Sequence, residues 1–137
     1  MGDLDSQLER ELLKALFKNV DPATLPVANV YLGAHTGAPG DDGSQNEVAE
    51  TDYSRAETAP ADWTLLDPSD PSTIELAAEA QFDTAESTWG EITAVSAWDG
   101  PVGSAQHLTN FQPSNTQQID PNDRLILEPG ELSFNAE

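Results

Sequence analysis

The chain has 137 residues, no cysteine, and 25 acidic against five basic side chains, a formal charge of -20. That length suits one domain with a modest core, and the absence of cysteine excludes disulfides, thiol nucleophiles and sulfur-ligated metals. Phosphate backbones and anionic lipid head groups would repel such a surface, which sets aside nucleic acid and membrane as partners. Two histidines are too few for a histidine-built metal centre, and no cofactor is predicted.

Three causes compete for the acidity. Wholesale disorder needs low hydrophobicity, but 37% of the residues are apolar and nine are aromatic, and they fall in patterned runs. A calcium loop needs oxygen ligands at fixed spacing around a glycine turn. Gly40-Asp41-Asp42-Gly43 lacks that spacing and the closing glutamate. Adaptation to concentrated salt remains, because screened carboxylates keep a surface hydrated and dispersed. Residues 1–20 hold four acids and three bases, leaving 21 acids and two bases, a charge of -19, in residues 21–137. Acids scattered singly through a patterned chain read as a solvated surface, and they predict a halophilic source.

Residues 1–21 read as an amphipathic helical segment and 22–137 as a β domain. Ser6-Gln7-Leu8-Glu9 has capping-box spacing. Leu8, Leu12, Leu13, Leu16, Phe17 and Val20 then recur at steps of three and four, forming one apolar stripe. Arg10, Lys14 and Lys18 follow one polar edge. Asn19 to Pro22 ends the pattern, since proline cannot continue a helix. Charges interrupt every apolar run, so neither a signal peptide nor a membrane span of about 20 residues is predicted. The stripe either covers the chain's own core or docks in a neighbouring subunit.

From Val27 the period becomes two. Val27 to His35 predicts a strand rich in β-formers, and the Gly, Asp, Ser and Asn of residues 37–47 predict a mobile loop. A short strand is expected around Trp63 to Leu66, a turn at Asp67 to Ser72, and a strand over Thr73 to Ala78. Gly90 to Asp99 predicts a strand covered on both faces, followed by Ser104 to Phe111. Pro129-Gly130 suits the centre of a type II turn and predicts a closing hairpin between Arg124–Glu128 and Glu131–Asn135. The fold class is mainly β: an N-terminal amphipathic helix, then a small antiparallel sandwich or barrel of about six to eight strands.

No catalytic residue is predicted. The chain holds no G-x-S-x-G elbow, phosphate-cradling loop or H-E-x-x-H motif. His35 reads as a strand-end residue bonded to backbone, and His107 as a surface or core-edge residue. Among 25 acids, carboxylate pairs such as Asp41 and Asp42 arise by chance, so they carry no glycosidase signal. Trp63, Trp89 and Trp98 read as core or subunit-contact residues before they read as a carbohydrate platform.

An ordered series of short motifs resembles a group of small tailed-phage virion proteins. It begins with Leu32, His35-Thr36 and Pro39, continues through Gly43, Glu47-Val48, Tyr53 and Arg55, and then Phe82 and Trp89-Gly90-Glu91-Ile92-Thr93. It closes with Asp123-Arg124-Leu125 and Pro129-Gly130-Glu131-Leu132. In that group a glycine commonly stands where Asn122 stands here. The resemblance covers nearly the whole chain and implies a virion building block with no enzymatic activity. With the acid load, it implies a tailed virus of a halophilic archaeon, located in the virion and assembled in the host cytoplasm. The leading expectation is a capsid decoration or turret protein that self-associates and docks on the major capsid protein. A tail, baseplate or tail-fibre component is the alternative, and a carbohydrate-binding module follows. The expected interface residues are Leu8, Leu12, Leu13, Leu16, Phe17, Val20, Trp89 and Trp98.

Overall fold

The computed structural model describes residues 5–21, 27–65, 73–103 and 105–135; the predicted turn at Asp67 to Ser72 lies outside them. One helix, α1 (Ser6–Phe17), precedes antiparallel strands β1 (Val30–His35), β2 (Ala56–Thr58), β3 (Trp63–Leu65), β4 (Thr73–Leu76) and β5 (Ala80–Gln81). There follow β6 (Gly90–Ile92), β7 (Ala94–Trp98), β8 (His107–Phe111), β9 (Gln117–Ile119), β10 (Ile126–Leu127) and β11 (Ser133–Asn135). The fold is mainly β, as expected, and no sheet closes into a barrel among the described residues. The eleven strands among the described residues exceed the expected six to eight because one longer predicted run breaks and short strands such as β5 and β9 form where none was expected. Gly90 to Asp99 divides at Thr93, and the strand expected around Trp63 follows a separate strand, Ala56–Thr58, across a 3-10 turn at Pro60–Asp62.

The central sheet has the order β2-β1-β7-β8. A three-stranded sheet, β11-β4-β3, and two ribbons, β10-β5 and β6-β9, complete the body. In the central sheet, Leu32 pairs with both Ala56 and Ala97, and Val95 pairs with Ala34 and Phe111. Because side chains alternate across a strand, these residues share one apolar face. They join Leu76, Phe82, Trp89, Ile92, Ile119, Leu125, Leu127 and Leu132 from the smaller sheets and their connections in one buried cluster. All five residues of β7 are buried, consistent with its sequence being apolar or small on both faces.

The predicted closing hairpin does not form. The Pro129-Gly130 turn is present, with Glu131 N–H donating to the Glu128 carbonyl at 3.0 Å and Gly130 at φ 83. The strands on either side of it diverge: β10 pairs with β5, and β11 with β4. The turn therefore carries the chain from one sheet to another. Asn122 adopts φ 77, a left-handed conformation that glycine takes freely and asparagine tolerates, which accounts for this residue at a position where glycine is common.

The start of α1 also differs from expectation. Asp5, not Ser6, is the cap, and its carboxylate accepts the Gln7 N–H at 2.8 Å. Tertiary contacts set this register, because the Asp5 N–H donates to the Leu108 carbonyl at 2.8 Å. Asn19, at φ 54, turns the chain out of the helix.

Candidate functional site

The face of the central sheet opposite the apolar one is polar. Gly33 lies opposite Ser96, Ser96 opposite Asn110, and Trp98 opposite His107. The same alternation that buries Leu32 and Val95 thus gathers His35, Ser96, Trp98 and Asn110 on the other side, and a register shift between Ala97 and Trp98 brings His107 to them. The loop of residues 37–47, expected to be mobile, folds over this face. It is tied by Thr36 N–H to the Asn46 carbonyl at 3.0 Å, Gln45 N–H to the Pro39 carbonyl at 2.9 Å, and Asn110 Nδ2 to the Gly40 carbonyl at 2.9 Å. Gly43, at φ 71, passes so close that a Cβ there would stand 2.5 Å from the His107 ring and 2.8 Å from that of Trp98.

Glu47, Tyr53 and Arg55, scattered through the motif series, converge beside this face. Arg55 grips the Glu47 carboxylate through Nε at 2.8 Å and a terminal nitrogen at 2.9 Å. Its other terminal nitrogen donates to the Gly100 and Pro101 carbonyls, each at 3.2 Å, and its guanidinium lies 3.7 Å over the Trp98 ring. The Tyr53 hydroxyl donates to Glu47 at 2.7 Å and accepts the Ala34 N–H at 2.9 Å. Burial alone would raise the Glu47 carboxyl, but the donors from Arg55 and Tyr53 outweigh it and hold the group below its ordinary range. Burial and the adjacent Glu47 charge push the Tyr53 phenol up.

His35 and Ser96 form the one arrangement that invites a catalytic reading. The His35 Nε2 is 2.7 Å from the Ser96 hydroxyl, and Nδ1 is 2.7 Å from the Gln45 carbonyl. Since a carbonyl only accepts, Nδ1 carries the proton and Nε2 accepts from Ser96. The same hydroxyl oxygen accepts the Trp98 indole N–H at 2.7 Å. A nucleophile must reach its substrate, yet both side chains are wholly buried, and Gly33 packs so tightly that a Cβ would lie 2.6 Å from the Ser96 hydroxyl. The pair locks β1 to β7 and leaves no space for an acyl group. Burial lowers the proton affinity of His35 and keeps it neutral.

His107, expected at the surface or the core edge, is buried. Its Nδ1 meets Asp5 at 3.1 Å and its Nε2 the Asn110 amide oxygen at 2.8 Å, so the polar face anchors the beginning of α1. Beyond that anchor the helix separates from the body. Leu8 is its buried residue and Leu12 is half-buried, whereas Leu13 is 56%, Leu16 75%, Phe17 79% and Val20 48% exposed. The stripe therefore does not serve chiefly to cover its own core. Trp89 and Trp98 are both buried within the subunit. Trp89 donates to Asp52 at 3.1 Å, and Trp63, half-buried, donates to Thr58 at 2.8 Å. None of the three indoles is an exposed platform.

Sequence reasoning missed Asp5, Ser96 and Asp52. Ser96 had a signal, a lone hydroxyl between Val95 and Ala97 in an apolar strand. Asp52 had none, because the donors it accepts, the Glu86 N–H at 2.6 Å and the Ser87 hydroxyl at 2.6 Å, lie more than thirty positions away. Those donors hold its carboxyl far below the usual range. A second feature outside the expected interface is an apolar groove of about 330 Å³ between the central sheet and β3–β4, lined by Val27, Ala28, Trp63, Ile74, Leu108 and Phe111 among others. No cluster of metal-ligating side chains occurs among the described residues, and no described helix is long and apolar enough to cross a membrane.

No curated protein matches the chain. Residues 4–135 match a family model described as Podophage GP4 fiber I protein gp80, nearly the full length. A polar face whose His35–Ser96 pair is buried, and a helix left apolar and outward, fit a building block. The chain belongs to the podophage GP4 fiber I protein gp80 family, a family of tailed-virus structural proteins.

Proposed function

We propose that the protein is a fibre-type component of a tailed-virus particle, built by self-association and attached to other virion proteins, with α1 as its adhesive element and the β body as the rigid module. The observation that carries this reading is the exposed run Leu13, Leu16 and Phe17 on a helix whose buried residue, Leu8, lies near its start, with Val20 exposed just past its end. A monomer exposing such a contiguous apolar strip would lose free energy to water, and strips of this kind mark interaction surfaces. The family description favours the tail fibre over a capsid turret or decoration. The body charge of -19 supports a particle working in concentrated salt, as that of a virus of a halophilic archaeon would.

Mass spectrometry of purified particles, followed by antibody labelling in electron micrographs, tests the assignment. The protein is expected in the particle with label at the tail. Label on the capsid shell would restore the turret reading, and absence from the particle would remove the virion role altogether.

A further inference from the structure

The exposed helix and the apolar groove are two unfilled apolar features of one chain. Leu13, Leu16 and Phe17 stand at i, i+3 and i+4 of α1, the spacing with which an amphipathic helix anchors in a groove, and Val20 follows just past the helix end. The groove is of a size to receive such anchors, and of its lining side chains Thr109 alone is polar. A small-molecule pocket carries several placed polar groups to fix its ligand; this one does not.

The helix cannot fill the groove of its own subunit while anchored as it is. Asp5 is bonded to Leu108 and His107, and Leu13, Leu16, Phe17 and Val20 are exposed. Charge supplies the partner. Between Leu13 and Val20 the charged residues are Lys14 and Lys18, with no acid, whereas residues 21–137 carry -19. The body that holds the groove carries that charge, and Asp62 directly precedes the groove residue Trp63. An apolar helix end of charge +2 complements an apolar groove set in an acidic body, and the surface that offers both is a second copy of this chain.

We infer that the segment Leu13–Val20 of one copy seats in the Val27–Trp63–Phe111 groove of another. This rests on the self-associating reading above and specifies its contact. Donor and acceptor lie on the same chain, so the contact repeats from copy to copy until symmetry closes it. The lysines set orientation, and the leucines and Phe17 supply the buried surface.

The native chain has no cysteine, which makes site-directed cross-linking clean. Full-length Leu16→Cys and Ala28→Cys chains, both altered at exposed positions, are mixed in about 1 M KCl, where repulsion between distant charges is screened, and treated with a short bismaleimide linker. The expected product is the mixed Leu16–Ala28 pair, well above either self-pair. The double variant Leu16→Asp, Phe17→Asp is expected to sediment as a monomer with an unchanged circular dichroism spectrum. Dominant Leu16–Leu16 products would show helix packed on helix and overturn the groove assignment, as would a wild-type chain that stays monomeric. Particles that contain the protein but yield Leu16–Leu16 links would discard the groove and keep the virion role.

Discussion

At the scale of single residues, Arg55 joins the most separate parts. It holds a carboxylate, two carbonyls and an indole face at once, and its side chain is 4% exposed against 16% for Glu47. Removing one member of such a pair strands the other in a poorly solvated site, which costs about 3–5 kcal/mol. Arg55→Met is therefore expected to lower the urea midpoint strongly. Arg55→Lys recovers only part of the loss, because an ammonium lacks both the planar fork and the stacking face. Adding Glu47→Gln to Arg55→Met removes the stranded charge and should restore some stability. If Arg55→Met alone unfolds within about 0.5 kcal/mol of the wild type, the pair is a bystander.

Among the elements, α1 is the one with separable stability. Its buried contacts lie near its start, at Asp5 and Leu8, so regional opening should precede global unfolding. Leu8→Ala removes a buried anchor worth about 2–5 kcal/mol. The helix is then expected to exchange its amide hydrogens at least tenfold faster, while β1 and β7 keep their protection. Equal acceleration in the central strands would make α1 integral to the fold. This element was legible from sequence because its stripe and stop signals are local. The Pro129-Gly130 turn was legible too, yet the hairpin drawn from it does not form, since β10 pairs with β5, from 45 positions upstream, and β11 with β4, from 58. Likewise His35 could be placed at a strand end, but its hydrogen bond to Ser96 spans 61 positions and leaves no periodic trace. Stripe residues such as Leu16 and Phe17 could be found from spacing alone; the groove could not, because Val27, Trp63 and Phe111 meet only through the sheet order.

For the molecule as a whole, charge and burial act in opposite directions as pH falls, and salt separates them. In dilute buffer a net charge of -20 repels itself, so partial protonation of surface carboxylates relieves strain and should at first raise stability. At about 1 M KCl the Debye length is about 3 Å and this contribution is small. The groups whose ionisation burial or native hydrogen bonds shift then dominate. His35 is held below its ordinary value, so below pH of about 6.5 the unfolded chain binds a proton that the native chain refuses, and stability falls with a slope of up to about 1.4 kcal/mol per pH unit. Glu47 and Asp52 are also depressed, so below pH of about 4 the unfolded chain gains their protons first and the loss steepens. Urea midpoints at stepped pH in molar KCl should thus be level above neutrality, decline below about 6.5 and drop faster below about 4. His35→Asn should be less stable at neutral pH but lack the first decline, because no imidazole remains to titrate at that position. A variant that keeps the same slope between pH about 6.5 and about 4.5 would assign the decline to another group. A wild type equally stable in dilute buffer and molar KCl would remove the salt-adapted reading of the body.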